Sequence, residues 1–146
     1  MLNVFLRLLL SAYGVTLFSV PIMTLADLPG AASRPLVAGF LDRTAFMAIN
    51  AAPYALAGAG MALALYWVGV RWWHKRSGRL LFVLLCVGIG GAQLKLTFDG
   101  LVVIGAAAAG TAAWIATWPD APLLHRFGLV VVAGLGAGVL QALLPL

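Results

Sequence analysis

The chain has 146 residues, 64% of them hydrophobic and only 9% charged, with a mean hydropathy of +1.07. Soluble domains carry about 25% charged residues, so this chain lacks the polar surface that a water-soluble fold of its size needs. Glu is absent, and the formal charge of +5 comes from cations gathered at the ends of apolar runs, a pattern of membrane orientation and not of nucleic-acid binding.

The first apolar run is Val4–Ala26. At 1.5 Å per residue it reaches about 35 Å, enough for a hydrocarbon core of about 30 Å. A signal peptide would place Arg7 in its basic region and cleave after Thr24-Leu25-Ala26, but the run after Arg7 is too long for that, and a retained helix is expected. Pro21 should kink it. Asn3, Arg7 and Ser11 share one helical face, with Arg7 extending to the headgroups.

Residues 27–50 form the longest polar-containing connection, and its charges (Asp27, Arg34, Asp42, Arg43) cancel. Leu28-Pro29-Gly30 has turn chemistry, and Ser33 before Arg34-Pro35 reads as a helix cap. Leu36, Val37, Phe40, Leu41, Thr44, Met47 and Ala48 fall near one face, which predicts a short interfacial helix. The second span is Ala51–Trp73, with Pro53 in its first turn and a smooth face of Ala55, Gly58, Ala59 and Ala62. Tyr66, Trp67, Trp72 and Trp73 gather at its end, as at a headgroup boundary.

Four of the nine Lys and Arg residues then fall together as Arg71, Lys75, Arg76 and Arg79, beside His74 and with no acid. The third span, Leu80–Phe98, is hydrocarbon at first and turns polar at Gln93, Lys95 and Thr97. Phe98-Asp99-Gly100 predicts a tight turn, so the fourth span, Leu101–Trp118, should run antiparallel beside the third. Gly105/Ala109 and Ala106/Gly110 give the fourth span a small surface suited to enclosure by other helices. After Pro119-Asp120-Ala121-Pro122, the last span, Leu123–Leu144, opens with His125 and Arg126, carries a GxxxG pair at Gly134 and Gly138, and has Gln141 as its only polar side chain beyond Arg126.

The expected fold is therefore all-α: a polytopic integral membrane helical bundle with about five transmembrane helices and a short interfacial segment between the first two, in a single transmembrane domain over residues 1–146. An N-terminus inside puts six cations (Arg7, Arg71, Lys75, Arg76, Arg79, Arg126) on the inner side against three outside (Arg34, Arg43, Lys95), in agreement with the positive-inside rule. That predicts a bacterial inner membrane protein with a cytoplasmic N-terminus and an external C-terminus. Arg71, Trp72, Trp73, Lys75, Arg76 and Arg79 are its orienting, lipid-contacting residues, with anionic headgroups as partners.

Gln93, Lys95 and Asp99 form the candidate polar site, because an ionisable residue near a span marks function by default. The bland alternative, that Lys95 and Asp99 only orient the helix end, is preferred. Cys86 is the single cysteine and sits in an apolar run, so no intrachain disulfide and no Cys-based metal site is available. His74 and His125 fall in wet basic turns, and no metal or other cofactor is expected. No HExxH, nucleophile elbow or paired intramembrane carboxylates occur, so the reading leans away from an enzyme. Two functions remain: a non-enzymatic helix-packing subunit of a larger membrane assembly, using Gly58, Gly105, Gly110, Gly134 and Gly138 to meet other transmembrane helices, or a small oligomeric transporter or channel with its site near Gln93 and Lys95.

Overall fold

The computed structural model describes residues 1–27, 36–98 and 100–144, and the side chains of Asp27 and Leu36 fall outside what it describes. The expected turn at Leu28-Pro29-Gly30, the Ser33 cap, Arg34 and Asp99 lie outside the described residues. Five helices follow in order: α1 (Leu2–Asp27), α2 (Leu36–Trp73), α3 (Arg76–Phe98), α4 (Val102–Ala116) and α5 (Leu123–Leu143). Four of them, α1, α2, α3 and α5, are long and apolar enough to cross a membrane. Helix α4 has 15 residues and so rises about 22 Å, short of a bilayer core of about 30 Å. The surface is as apolar as the interior, with Leu96 89% exposed and Leu123 82%. A protein bathed in water does not display such a surface, so the chain is a membrane protein with an all-α bundle fold.

The interfacial segment and the second span are one helix, α2, of 38 residues. No Gly or Pro stands between Gly39 and Pro53 to stop it. Asn50 donates its side-chain amide to the Phe46 carbonyl within the helix, and the Tyr13 hydroxyl of α1 donates to the Ala48 carbonyl at 3.0 Å, pinning this stretch to the bundle. Pro53 thus lies inside α2 and not in a first turn. At about 57 Å, α2 is nearly twice the thickness of a bilayer core.

Helix α4 holds the centre. Helix α3 returns antiparallel along it, while α1 and α5 run parallel to each other, Gly134 meeting Phe18 and Gly138 meeting Ile22, with α4 packed against both. Ile104, Ala108, Ala112 and Ala113 are among the buried residues of α4, the enclosed position its small side chains predict. The α3–α4 turn uses Gly100 at φ 131°, a left-handed conformation that glycine reaches without strain. Gln141 of α5 is buried and completes that turn: its Oε1 accepts from the Val103 N–H at 2.9 Å and its Nε2 donates to the Gly100 carbonyl at 2.7 Å. Leu101 cannot cap α4 with a side-chain hydrogen bond, so Gln141 does that work from another helix.

Candidate functional site

Helices α1, α2, α3 and α4 part around an apolar cleft of about 230 Å³. The lining recurs every three or four residues on each wall: Leu8, Ala12, Thr16 and Val20 from α1; Ala51, Ala55, Gly58 and Ala62 from α2; Cys86, Ile89, Gln93 from α3; and Leu101, Ile104, Ala108 from α4. From Leu8 to Met23 on α1 it runs about 22 Å along the bundle. Buried clusters close one end, Leu8 with Ala59 and Ala112, and Phe82 with Cys86 and Ala113. At the other end Phe46, Met47, Phe98 and Leu101 surround it, and the Tyr54 and Phe98 rings meet edge to face at 4.8 Å. The cleft exists because α2 lines it with only Ala and Gly from Ala55 to Ala62, about two turns, which leaves space that larger side chains would fill.

No charged side chain lines the cleft among the described residues. Of its polar groups, Thr16 and Ser19 donate to carbonyls of their own helix, Ala12 and Thr16, and Asn50 donates to Phe46. Gln93 and the Tyr54 hydroxyl have no side-chain hydrogen-bond partner among the described residues. The Gln93 amide lies against Gly58, where a Cβ would stand 3.3 Å from its Oε1. Lys95, two residues on, is exposed on the opposite side of α3. Asp99, the third member of the expected polar site, lies outside the described residues. The structure therefore separates Gln93 from Lys95.

At the opposite end, α2 and α3 leave only His74 and Lys75 between them. Gly78 permits this hairpin, since any Cβ there would run into the Trp72 carbonyl. Arg71, Trp72, Lys75 and Arg76 are exposed. Trp73 and Arg79 turn inward instead. The Trp73 indole N–H donates to the Leu65 carbonyl at 3.3 Å and its ring packs on Phe82 at 5.2 Å. Arg79 donates through Nε to Thr117 Oγ1 at 3.0 Å and through a terminal nitrogen to the Trp114 carbonyl at 3.2 Å, while its guanidinium lies 3.9 Å from the Trp114 ring centre. It ties the start of α3 to the end of α4, where a cation also meets the negative end of the helix dipole. Arg79→Met is expected to lower thermal stability in detergent by about 1–3 kcal/mol, and Arg79→Lys to recover little of it, since lysine offers neither the fork nor the flat stacking face. Equal melting temperatures for Arg79→Lys and the unsubstituted protein would contradict this.

No protein-family model, curated protein or solved structure matches the chain. The site's chemistry therefore stands on geometry alone. Among the described residues, no three of His, Cys, Asp or Glu come together, and His74 and His125 are both exposed.

The glycines proposed for helix packing have intramolecular neighbours. Gly105 lies against the Gly90 carbonyl of α3, Gly110 against Val87, Gly134 against Phe18 and Val15, and Gly138 against Ile22 and Ser19. Gly58 and Gly105 also border the cleft. Asn50, Tyr54, Thr16 and Ser19 were not singled out as site residues from the sequence; their one shared signal is a polar group spaced to fall on the cleft-facing side of its helix.

Proposed function

We propose that this chain is a multi-pass inner membrane protein whose working part is the α1–α4 cleft, holding an apolar molecule within the bilayer in the manner of a small carrier. The observation that carries this reading is the unpartnered Gln93 amide on the wall of an otherwise hydrocarbon cavity. Gln93 is half-buried, a polar group set among hydrocarbon walls, and pockets that are mostly apolar with a few convergent polar groups are ordinary ligand sites. Gln93 supports the site expected near Gln93 and Lys95, with Lys95 left to the headgroups. The basic Arg71–Arg79 hairpin supports a cytoplasmic placement of that end and of the N-terminus.

The test is to release the protein from native-membrane discs and weigh it intact. A retained small molecule is expected, and Ala55→Trp, which fills the cleft, should lose it while melting within a few degrees of the unsubstituted protein. No retained mass, or the same mass on the filled variant, would overturn the reading.

A second reading, an accessory subunit of a larger membrane assembly, has one observation in its favour. The first half of α2 carries Val37, Leu41, Ala45 and Ile49 at four-residue spacing, all exposed, on the part of a helix too long for the bilayer. The helix-packing glycines no longer argue for it, because they are occupied inside the bundle. On this reading, Leu41→Glu with Ile49→Glu reduces the size of the particle extracted in mild detergent. An unchanged size sets it aside.

A further inference from the structure

The shape and chemistry of the cleft narrow what it takes. We infer that it binds a single-chain amphiphile with an uncharged, hydrogen-bonding head, its chain reaching toward Cys86 and its head beside Gln93 and Tyr54. This rests on the reading of the cleft as the working part and adds the class and orientation of its occupant.

Width comes first. A volume of about 230 Å³ exceeds the ~150 Å³ of a cavity that takes one benzene ring, yet here it is drawn out along about 22 Å of helix. That is the shape of one extended hydrocarbon chain. A partner helix, about 10 Å across, does not fit it. Polarity along the length comes second. Leu8, Ala62, Cys86 and Ala112 at the closed end are apolar, and Cys86 is 2% exposed. Toward the Phe98 end stand Asn50, Tyr54 and Gln93. An acyl chain therefore loses nothing at the closed end, and a polar head finds donors and acceptors only at the other.

Charge comes third. The described lining contains no Asp, Glu, Lys, Arg or His, so an ionised head drawn into it would shed water without gaining a counter-ion, a loss of several kcal/mol. Hydroxyl, ester or amide heads carry no such penalty. The Gln93 amide offers both a donor and an acceptor, and the Tyr54 hydroxyl offers the same, which suits the hydroxyl-and-ester pattern of a monoacylglycerol.

The probe is a monoacylglycerol bearing a diazirine at the tip of its chain, photolysed with the full-length protein in lipid discs. Cross-links are expected at the closed end, on the peptides holding Leu8, Ala62 or Cys86. Unlabelled monoacylglycerol should compete, with palmitate at least tenfold weaker. Gln93→Leu and Tyr54→Phe should each weaken monoacylglycerol competition about three- to tenfold, as loss of a hydrogen bond predicts, while hexadecane competes unchanged. Tyr54→Phe keeps the ring contact with Phe98, so at least one variant remains folded.

Closed-end labelling that palmitate displaces equally well, unaffected by either variant, would leave a chain-binding cleft and overturn the neutral-head assignment. Labelling confined to outward residues such as Leu84 and Leu96 would overturn both the assignment and the carrier reading. Closed-end labelling that falls as the protein is crowded, with a dimer appearing in its place, would give the cleft to a second copy and overturn the inference.

Discussion

Gly105→Ala is expected to force α3 and α4 apart and to lower the stability of the bundle by about 2–4 kcal/mol. The two helices approach so closely that a Cβ at Gly105 would enter the Gly90 carbonyl, and one at Gly90 would meet the Gly105 carbonyl and Ala109. Those obstacles are backbone, which cannot rotate aside as a side chain can. Overpacking a tight contact ordinarily costs about 1–3 kcal/mol, and a reciprocal backbone clash lies at the upper end or above it. The loss also spreads, because α4 is the helix that α1 and α5 lean on. Gly88→Ala is the matched control: nothing stands within 4 Å of its Cβ position, and it is exposed, so its effect should stay within about 0.5 kcal/mol. Denaturation in mixed detergent micelles measures both. Indistinguishable midpoints for Gly105→Ala and Gly88→Ala would show that the close approach does not hold the bundle together.

Gln141→Leu should be nearly as damaging, although it exchanges a polar side chain for one that lipid-facing helices favour. The side chain is only 6% exposed, and it satisfies two backbone groups at once, the Val103 N–H and the Gly100 carbonyl. Each buried group left unpaired costs about 1–3 kcal/mol, so a loss of about 2–4 kcal/mol is expected. Hydropathy alone predicts the opposite sign. The loss should be local to the α3–α4 turn as well, where amide exchange of Val103 and its neighbours should accelerate. A leucine variant as stable as the unsubstituted protein would mean that water or lipid satisfies those groups instead.

Much of the architecture was legible in the residues. Four long apolar helices, the hairpins at His74-Lys75 and at Pro119–Pro122, and the enclosure of α4 all follow from hydropathy, turn chemistry and side-chain size. The fourth expected span shortens to Val102–Ala116, too short to cross a bilayer core, and the division expected before the second span is absent. The apolar face after Pro35 and the place of Pro53 predict a separate interfacial helix, yet a helix continues through a change of surroundings wherever its backbone stays hydrogen-bonded. The orienting cluster divided in two, for Trp73 and Arg79 face the bundle while Arg71, Trp72, Lys75 and Arg76 face outward.

The residues by themselves determined that the chain belongs in lipid and where its helices lie, because the cost of moving a side chain from water to hydrocarbon is a property of that side chain. Only the tertiary structure decided which face of each helix is inside. In water an apolar stripe marks the buried face, but here lipid and core are equally apolar, so the 3.6-residue rhythm that would separate Gln93 from Lys95, or assign Gly105 to Gly90, is flattened out of the sequence. Pairing the helices restores it, and with it the cleft.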